Sequence, residues 1–286
     1  MSTAYAEVIG DPIAHSKSPL IHNFWLERLG LAGRYERSHV RPDELASYLA
    51  ERRGDADWRG CNVTIPHKQA VVPLVDRLDP TAEKIGAVNT IRREGDGSLT
   101  GFNTDLGGFL EPLRGELAKH HLYRMARIIG AGGAARAIAH ALAGAGFAIA
   151  IIARDEDKAR ALLKEVDPVA SDSMLASLSS WAEHTDFRWD DRSGVLDIVV
   201  NATSLGMVGA PPLAIDFSHI PADAIVYDIV YAPLETPLLA EARHRGLRTV
   251  DGLSMLIGQA AEAFALFFGE RPPREQDAEL RALLTA

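Results

Sequence analysis

The sequence contains little cysteine and no recognisable metal-binding pattern. Its 286 residues include one cysteine, Cys61, so no intrachain disulfide can form, which is typical of a reducing compartment. His15, His22 and His67 are scattered without the H-E-x-x-H spacing of a zinc enzyme, and no C-x-x-C pair occurs. We therefore expect no metal site, and we interpret Cys61 as a small buried thiol.

Excess positive charge and long apolar runs are also missing. The formal net charge of −9 argues against a general nucleic-acid-binding protein, which usually carries a basic face. The most apolar stretch, residues 137–153, includes His140 and two glycines, so it predicts a helix, a turn and a buried strand rather than a membrane span. The N-terminus lacks the pattern of a signal peptide. We expect a soluble cytoplasmic protein with neither nucleic-acid nor membrane partners.

The order of predicted elements indicates an α/β protein built from two units. Residues 1–105 alternate strand-like and helix-like segments and include a β-hairpin signature over residues 86–105. A second unit begins near Leu106 and contains a strand, a glycine turn, a helix and a strand, which is the βαβ unit of a doubly wound sheet. Residues 167–194 read as a polar connection, and the last helix, residues 254–269, is apolar on nearly every side. That helix is therefore expected to be buried, where it returns to the first unit.

The glycine turn of the second unit predicts dinucleotide binding. Gly130 permits a tight turn after an apolar strand, and Gly132 lets backbone N–H groups approach a pyrophosphate at the N-terminus of the following helix. Ala135 takes the third position of the glycine fingerprint. A plain structural turn is the alternative, but the complete strand–turn–helix–strand context favours the nucleotide.

The end of the second strand of this unit bears on the choice of cofactor. Arg154 suits a 2′-phosphate, and Lys158 follows where the next helix could bring it to the same phosphate. Asp155 would instead bind a free ribose 2′-hydroxyl, or complement the N-terminus of that helix. Two cations against one carboxylate favour NADP, with NAD as the alternative.

Hydroxyl, amide and charged residues recur where predicted strands of the first unit end. Taken singly, each is more often a turn former or a helix cap, but their recurrence predicts a cleft for a polyhydroxylated substrate. Reduction of a ketone by hydride also needs a proton donor for the developing alkoxide, and Lys68 oriented by Asp105 is the candidate, with a structural ion pair as the alternative. The residues concerned are Ser16, Ser18, Asn62, Thr64, Lys68, Asn89 and Asp105.

The order of motifs resembles the shikimate dehydrogenase family over almost the whole chain. The resemblance rests on segments such as VIGDPIAHSKSPLIHN, GCNVTIPHK, GAVNTI, GFNTDLGG, GAGGAARA, NATSLGM and DGLSMLIGQAAEAF. It implies an NADP-dependent oxidoreductase that reduces 3-dehydroshikimate to shikimate in aromatic amino-acid biosynthesis. It also implies a substrate-binding catalytic domain (residues 1–105 and 253–286) and a Rossmann-like cofactor domain (residues 106–252), as a monomer or homodimer.

The resemblance implies a role for each matching residue. Lys68 would be the acid–base group and Asp105 its carboxylate partner. Ser16 and Ser18 would bind the substrate carboxylate. Further substrate-pocket positions would be Asn62, Thr64, Asn89, Tyr231 and Gln259. The diphosphate loop would comprise Gly130, Ala131, Gly132, Gly133 and Ala134, and the positions near the nicotinamide would be Ile229, Gly252 and Met255.

One segment departs from the family pattern. Many NADP-dependent members read Asn-Arg-Thr at the 2′-phosphate site, where this chain has Ala153, Arg154 and Asp155. An NAD-dependent enzyme acting on quinate is therefore an alternative, although Ser16 and Ser18 argue mildly against it because relatives that prefer quinate often have Thr at one of these positions. A non-catalytic dinucleotide sensor is a third hypothesis, and intact Lys68 and Asp105 argue against that one.

Overall fold

The computed structural model describes residues 3–167, 174–176 and 194–286, which form two compact units. The first unit runs to Gly108 and also includes Leu256–Ala286, whereas the second covers Phe109–Met255. The domain boundaries predicted from the sequence, after residues 105 and 252, each lie three residues before these limits, at 108 and 255. The assignment of one domain to substrate and the other to cofactor stays a prediction.

The helices, numbered along the chain, alternate with the strands as the sequence predicts. They are α1 Ser18–Leu29, α2 Leu45–Arg53, α3 Pro80–Ile85, α4 Asp105–Leu110, α5 Arg114–Leu117, α6 Gly133–Gly144, α7 Glu156–Val166, α8 Pro237–His244, α9 Gly252–Phe268 and α10 Asp277–Thr285. Three-residue 3₁₀ turns occur at Val72–Leu74, Glu111–Leu113, Phe217–His219 and Arg274–Gln276.

The sheet of the first unit is mixed. Its strand order is β2-β1-β3-β5-β6-β4, with β1 parallel to both β2 and β3. Strand β5 pairs antiparallel with β3 and with β6, which confirms the predicted hairpin. The strands are β1 Tyr5–Gly10, β2 Arg34–His39, β3 Trp58–Val63, β4 Arg77–Leu78, β5 Thr90–Arg93 and β6 Leu99–Phe102. The segments that follow β1, β3 and β6 carry five of the predicted residues, which are Ser16, Ser18, Thr64, Lys68 and Asp105.

Two predictions about the helices of the first unit need correction. The segment PDELASYLAERRG predicts a helix with Pro42 in its first turn, whereas α2 begins at Leu45, because residues 42–44 form a turn in which the Glu44 N–H donates to the Arg41 carbonyl at 3.0 Å. The apolar helix α9 is also not the last one, since α10 follows it and contacts α1. Leu280 and Leu284, one helical turn apart, are the buried residues of α10.

The sheet of the second unit is parallel throughout, in the order β12-β11-β10-β7-β8-β9. The order reverses between β7 and β10, which confirms the doubly wound sheet and creates the switch point where such folds bind ligands. The strands are β7 Tyr123–Ile129, β8 Ala148–Ile152, β9 Met174–Ala176, β10 Val195–Asn201, β11 Ile225–Asp228 and β12 Arg248–Val250. Strand β9 belongs to the polar connection predicted over residues 167–194, most of which lies outside the described residues.

The two central strands of this sheet, β7 and β10, are buried except for the first two residues of β7. Every residue of β10 is buried, as expected for a parallel strand covered by helices. The interior nevertheless holds a charged pair, in which the Arg127 guanidinium donates to the Asp197 carboxylate at 2.8 Å. In the described part of the chain, no helix combines the length and the apolar character needed to cross a membrane.

Candidate functional site

The structure brings Lys68 and Asp105 together in the first unit. The Lys68 ammonium donates to Asp105 Oδ2 at 2.5 Å, and the two side chains are 13% and 6% exposed. This pair is therefore largely shielded from water, although it remains accessible to a small molecule. Asp105 is the only hydrogen-bond partner of the ammonium among the described residues, so two of its three protons remain for another acceptor.

Backbone and side-chain contacts hold both members of the pair in place. The Lys68 carbonyl accepts from the Val88 N–H at 2.8 Å, which ties the loop after β3 to the segment before β5. Asp105 is the first residue of α4, and its N–H donates to Asn103 Oδ1 at 3.2 Å. The Asn103 amide in turn donates to the Ala87 carbonyl at 2.8 Å. The loop that carries Lys68 and the loop that carries Asp105 are thus both bonded to the segment before β5.

Asn89 connects the pair to a buried polar cluster. Its Nδ2 donates to Asp105 Oδ1 at 2.8 Å and lies 3.5 Å from Gln259 Oε1. Its Oδ1 accepts from the Thr104 N–H at 2.8 Å and from the Thr90 hydroxyl at 3.0 Å. Asn89, which the polar pattern predicted, and Gln259, which the resemblance implied, therefore lie together with Asp105.

Ser16 and Ser18 lie at the start of α1. Their hydroxyl oxygens are 3.2 Å apart, and the Ser18 N–H donates to Ser16 Oγ at 3.3 Å. The N-terminus of a twelve-residue helix favours negative charge, so the two hydroxyls and this helix end together suit a carboxylate. The Arg37 guanidinium donates twice to the Ser16 carbonyl, at 2.8 and 2.5 Å, and adds a cation that sequence reasoning missed.

Thr64 is packed against the end of β1, at Gly10. A Cβ atom on Gly10 would lie 2.5 Å from Thr64 Cγ2 and 3.0 Å from the Ile65 carbonyl oxygen. The Thr64 N–H donates to the Ile9 carbonyl at 3.0 Å, so the loop after β3 runs directly over this glycine. Gly10 therefore allows the close approach that places Thr64, and it was not among the predicted residues.

The predicted diphosphate loop of the second unit is a glycine turn between β7 and α6. Gly130 has a φ of +119°, and a Cβ atom there would lie 3.0 Å from the Ala202 carbonyl oxygen. Gly132 precedes α6, and a Cβ atom there would meet no atom within 4 Å, which leaves its backbone open to a ligand. Gly133 and Ala134 form the first turn of α6, where N–H groups have no intrahelical acceptor. Ala131 lies between the two glycines, so all five predicted residues form one turn.

The loop after β11 adjoins α9 at two of the predicted nicotinamide positions. A Cβ atom on Gly252 would lie 2.2 Å from the Ile229 carbonyl oxygen, so only glycine allows this contact. The Ile229 N–H donates to the Asn201 carbonyl at 3.1 Å, which ties this segment to the end of β10. Met255, one turn further along α9, is 7% exposed. Tyr231 follows Ile229 and is half-buried.

In the segment after β8, the contacts of Asp155 are those of a helix cap. Asp155 is the N-cap of α7, where its carboxylate accepts from the Lys158 N–H at 3.1 Å and pairs with the Lys158 ammonium at 3.0 Å. These contacts, led by the bond from the Lys158 backbone, lower the pKa of the Asp155 carboxyl below its usual value. Asp155 thus has a structural role as a cap, while Arg154 beside it is exposed.

Comparison with known proteins identifies the family. The family model for the shikimate dehydrogenase substrate binding domain matches residues 8–91, and that for the shikimate 5′-dehydrogenase C-terminal domain matches residues 252–279. The chain is 53% identical to the shikimate dehydrogenase (NADP(+)) of Sphingopyxis alaskensis, over 100% of this chain and 98% of the relative. The chain belongs to the shikimate dehydrogenase family.

Solved structures of similar proteins agree with this assignment. Shikimate 5-dehydrogenase from Thermus thermophilus, in complex with NADP(H) and shikimate, is 35% identical with a TM-score of 0.82, and the match covers 98% of this chain and 99% of that one. Quinate dehydrogenase from Corynebacterium glutamicum, in complex with NAD, is 32% identical with a TM-score of 0.84 over 98% and 99% of the two chains. These matches confirm the predicted fold, which consists of an N-terminal α/β unit and a Rossmann-like unit.

Two threonines of the site were missed by sequence reasoning. Thr90 and Thr104 are buried and bond to Asn89, yet only the neighbouring Asn89 and Asp105 were selected from the segments GAVNTI and GFNTD. Their position next to selected residues was a usable signal, because a strand end carries consecutive side chains into one polar cluster. Among the described residues, no group of His, Cys, Asp and Glu is arranged to hold a metal ion.

Proposed function

We propose that this member of the shikimate dehydrogenase family catalyses the reversible reduction of 3-dehydroshikimate to shikimate with NADPH, in aromatic amino-acid biosynthesis. The observation that carries the proposal is the contact of 2.5 Å between the Lys68 ammonium and Asp105, both largely shielded from water. A cation held in this way is suited to give a proton to a carbonyl oxygen.

Lys68 would move the proton of the reaction. In the direction of reduction its Nζ donates a proton to the ketone oxygen, and in the reverse direction the neutral amine accepts the proton of the shikimate hydroxyl. Asp105 holds the amine through one hydrogen bond and stabilises its protonated form, which leaves two protons directed at the substrate. NADPH, when bound, supplies the hydride for the carbonyl carbon.

The other predicted residues would bind and orient the substrate. Ser16 and Ser18, at the N-terminus of α1, are proposed to hold the carboxylate. Thr64, Asn89 and Gln259 are proposed to face the ring hydroxyls. Asn62 and Tyr231 are also proposed to line the substrate pocket, as the resemblance implies. In this proposal the first unit binds the substrate, and the second unit binds the cofactor.

The cofactor site is proposed on the turn from Gly130 to Ala134, with Ile229, Gly252 and Met255 near the nicotinamide. The open backbone at Gly132 suits a diphosphate. For the 2′-phosphate we propose Arg154 and Lys158. Because Asp155 caps α7 and pairs with Lys158, its carboxylate is engaged rather than directed at a ribose hydroxyl.

A comparison of shikimate and quinate with NADP⁺ and NAD⁺ tests the substrate and the cofactor together. Formation of the reduced nicotinamide is followed by absorbance in the four combinations. We expect the largest kcat/KM for shikimate with NADP⁺. A larger value for quinate with NAD⁺ would establish the alternative suggested by the Corynebacterium relative, and no turnover in any combination would refute the proposed reaction.

The Lys68→Ala variant tests the chemistry itself. Loss of an acid–base group lowers turnover by about 10²–10⁴-fold, with a smaller effect on the KM for shikimate. Lys84→Ala, which removes an exposed lysine of α3, is the matched control and should keep wild-type turnover. Wild-type kcat in Lys68→Ala would remove this lysine from the mechanism.

We further propose that the enzyme acts in the cytoplasm, because its one cysteine, Cys61, is buried and unpaired and the protein needs no oxidising compartment. Monomer and homodimer both remain compatible with the proposal, and sedimentation analysis of the purified protein would decide between them. Fractionation of cells that express the protein would test its location.

A further inference from the structure

A continuous series of buried hydrogen bonds leads from β2 to the Lys68–Asp105 pair. Each donor along it points toward Asp105. The donor–acceptor distances are 2.5 Å from the Tyr35 hydroxyl to Asn62 Oδ1, 2.9 Å from Asn62 Nδ2 to Thr90 Oγ1, 3.0 Å from Thr90 Oγ1 to Asn89 Oδ1, and 2.8 Å from Asn89 Nδ2 to Asp105 Oδ1. We call this series the hydrogen-bonded chain.

The direction of the chain follows from groups that can only donate or only accept. The Thr104 N–H can only donate, so the Asn89 atom that faces it must be Oδ1, which turns Nδ2 toward Asp105. At the other end, the Asn89 carbonyl can only accept, so the Asn62 atom that lies 3.3 Å from it must be Nδ2, and Asn62 Oδ1 then accepts from the Tyr35 hydroxyl. Asn62 must then present Oδ1 to Tyr35 and Nδ2 to Thr90.

Thr90 occupies the middle of the chain. Its hydroxyl has one proton, and because its oxygen accepts from Asn62, that proton is free to be donated to Asn89 Oδ1. Thr90 is completely buried at the start of β5, so its side chain has no access to solvent. It therefore links two residues of the site without itself facing outward.

We infer that Thr90 is a positioning residue for the proposed reaction, acting through Asn89 on the Asp105 carboxylate and hence on the Lys68 ammonium. The inference rests on the proposed function, because it concerns the orientation of the proposed proton donor. A buried amide has two nearly equivalent orientations by shape, and its hydrogen bonds select one of them. The Thr90 hydroxyl supplies one of the two short bonds that Asn89 Oδ1 accepts, the other being from the Thr104 N–H.

Removal of the Thr90 hydroxyl takes away one hydrogen bond from the Asn89 amide and one from the Asn62 amide. Asn89 Oδ1 keeps the Thr104 N–H but loses a second short donor, and Asn62 Nδ2 keeps only the Asn89 carbonyl at 3.3 Å. Both amides are then held by fewer hydrogen bonds, so Asn89 restrains the Asp105 carboxylate, and with it Lys68, less tightly. One net hydrogen bond of this kind corresponds to a change of about tenfold in rate if it acts on the transition state.

The experiment compares Thr90→Val, which replaces the hydroxyl by a methyl group of similar size, with Thr90→Ser, which keeps the hydroxyl. We expect kcat for shikimate oxidation to fall about tenfold in Thr90→Val and to recover in Thr90→Ser, while the KM for NADP⁺ is unchanged in both. Thr100→Val, the same substitution on the neighbouring strand β6, controls for the loss of a hydroxyl outside the chain. Each kcat is normalised to the fraction of protein that binds NADP⁺.

A solvent deuterium isotope effect separates positioning from a merely structural role. If the proton donor is misplaced, proton transfer becomes more rate-limiting, and the isotope effect on kcat rises in Thr90→Val but not in Thr100→Val. If Thr90→Val does not fold, Thr90→Ala removes the same hydroxyl without added volume. Wild-type kcat and isotope effect in a folded Val or Ala variant, or an equal loss in Thr90→Ser, would overturn the inference. Failure of the wild type to oxidise shikimate would instead overturn the proposed function, and the inference with it.

Discussion

His22 makes the stability of the first unit sensitive to acid, and replacing it should remove that sensitivity. The imidazole is fully buried in an aromatic cluster, stacked on Tyr35 with ring centroids 4.0 Å apart and 5.8 Å from the ring of Trp25. Neither ring nitrogen has a hydrogen-bond partner in the described part of the chain. Because burial disfavours the charged ring, the pKa of His22 falls from 6.5 to about 3.

The magnitude follows from linkage between protonation and folding. Below pH 6.5 the unfolded chain takes up a proton that the native His22 refuses until about pH 3, so stability is present at neutral pH and is lost as the pH falls. Between pH 7.5 and pH 5 this single group costs about 2 kcal/mol of unfolding free energy. The full difference, reached near pH 3, is on the order of 5 kcal/mol.

The assay is urea unfolding at several pH values, followed by tryptophan fluorescence, for the wild type and for His22→Phe. We expect the stability of the wild type to decline relative to the variant by about 2 kcal/mol between pH 7.5 and pH 5. His15→Phe is the control and should follow the wild type, because it keeps the buried imidazole. Parallel pH profiles for wild type and His22→Phe would refute the reasoning.

Three further predictions concern the proposed substrate site, the proposed cofactor site and the core of the second unit. Gly10→Ala should raise the KM for shikimate and leave the KM for NADP⁺ unchanged in steady-state kinetics, because the new Cβ would lie 2.5 Å from Thr64 Cγ2; an unchanged KM for shikimate would contradict the packing argument. Arg154→Ala should weaken NADPH about 10–100-fold in fluorescence titrations and NADH far less, since it removes a charge-assisted phosphate contact; equal weakening would count against that contact. Arg127→Met should lower the free energy of unfolding in urea by about 3–5 kcal/mol, because the Asp197 carboxylate remains buried. Adding Asp197→Leu should restore much of that stability. An unchanged urea midpoint in Arg127→Met would show that the pair contributes little.

The linear pattern of residues was enough to identify the family and most of its architecture. The glycine turn between an apolar strand and an alanine-rich helix predicted the doubly wound unit, because that local geometry needs residues without bulky side chains. The predicted start of α2 was wrong, since the residues after Arg41 form a turn closed by the Glu44 N–H before the helix begins at Leu45. Helix α10 was missed because its only buried pair, Leu280 and Leu284, makes a short apolar pattern.

For the candidate site too, the sequence predicted some features and the tertiary structure decided others. Lys68 and Asp105 were selected from the chemistry that a ketone reduction requires, but their separation of 2.5 Å depends on two loops joined through Asn103 and Val88. The role of Asp155 stayed open in the sequence, because a carboxylate at a strand end suits either a ribose or a helix cap. In the structure its carboxylate caps α7 and pairs with Lys158, while its relation to a ribose stays a prediction.

The sequence by itself determined the types of chemical group available to this protein and the local turns that expose them, because these depend on neighbouring residues. Only the tertiary structure decided which groups share hydrogen bonds, and so that Thr90 lies between Asn62 and Asn89 and that His22 lies without a polar partner among the described residues. The physical reason is that burial and hydrogen-bond geometry arise from strands and helices that are far apart along the chain.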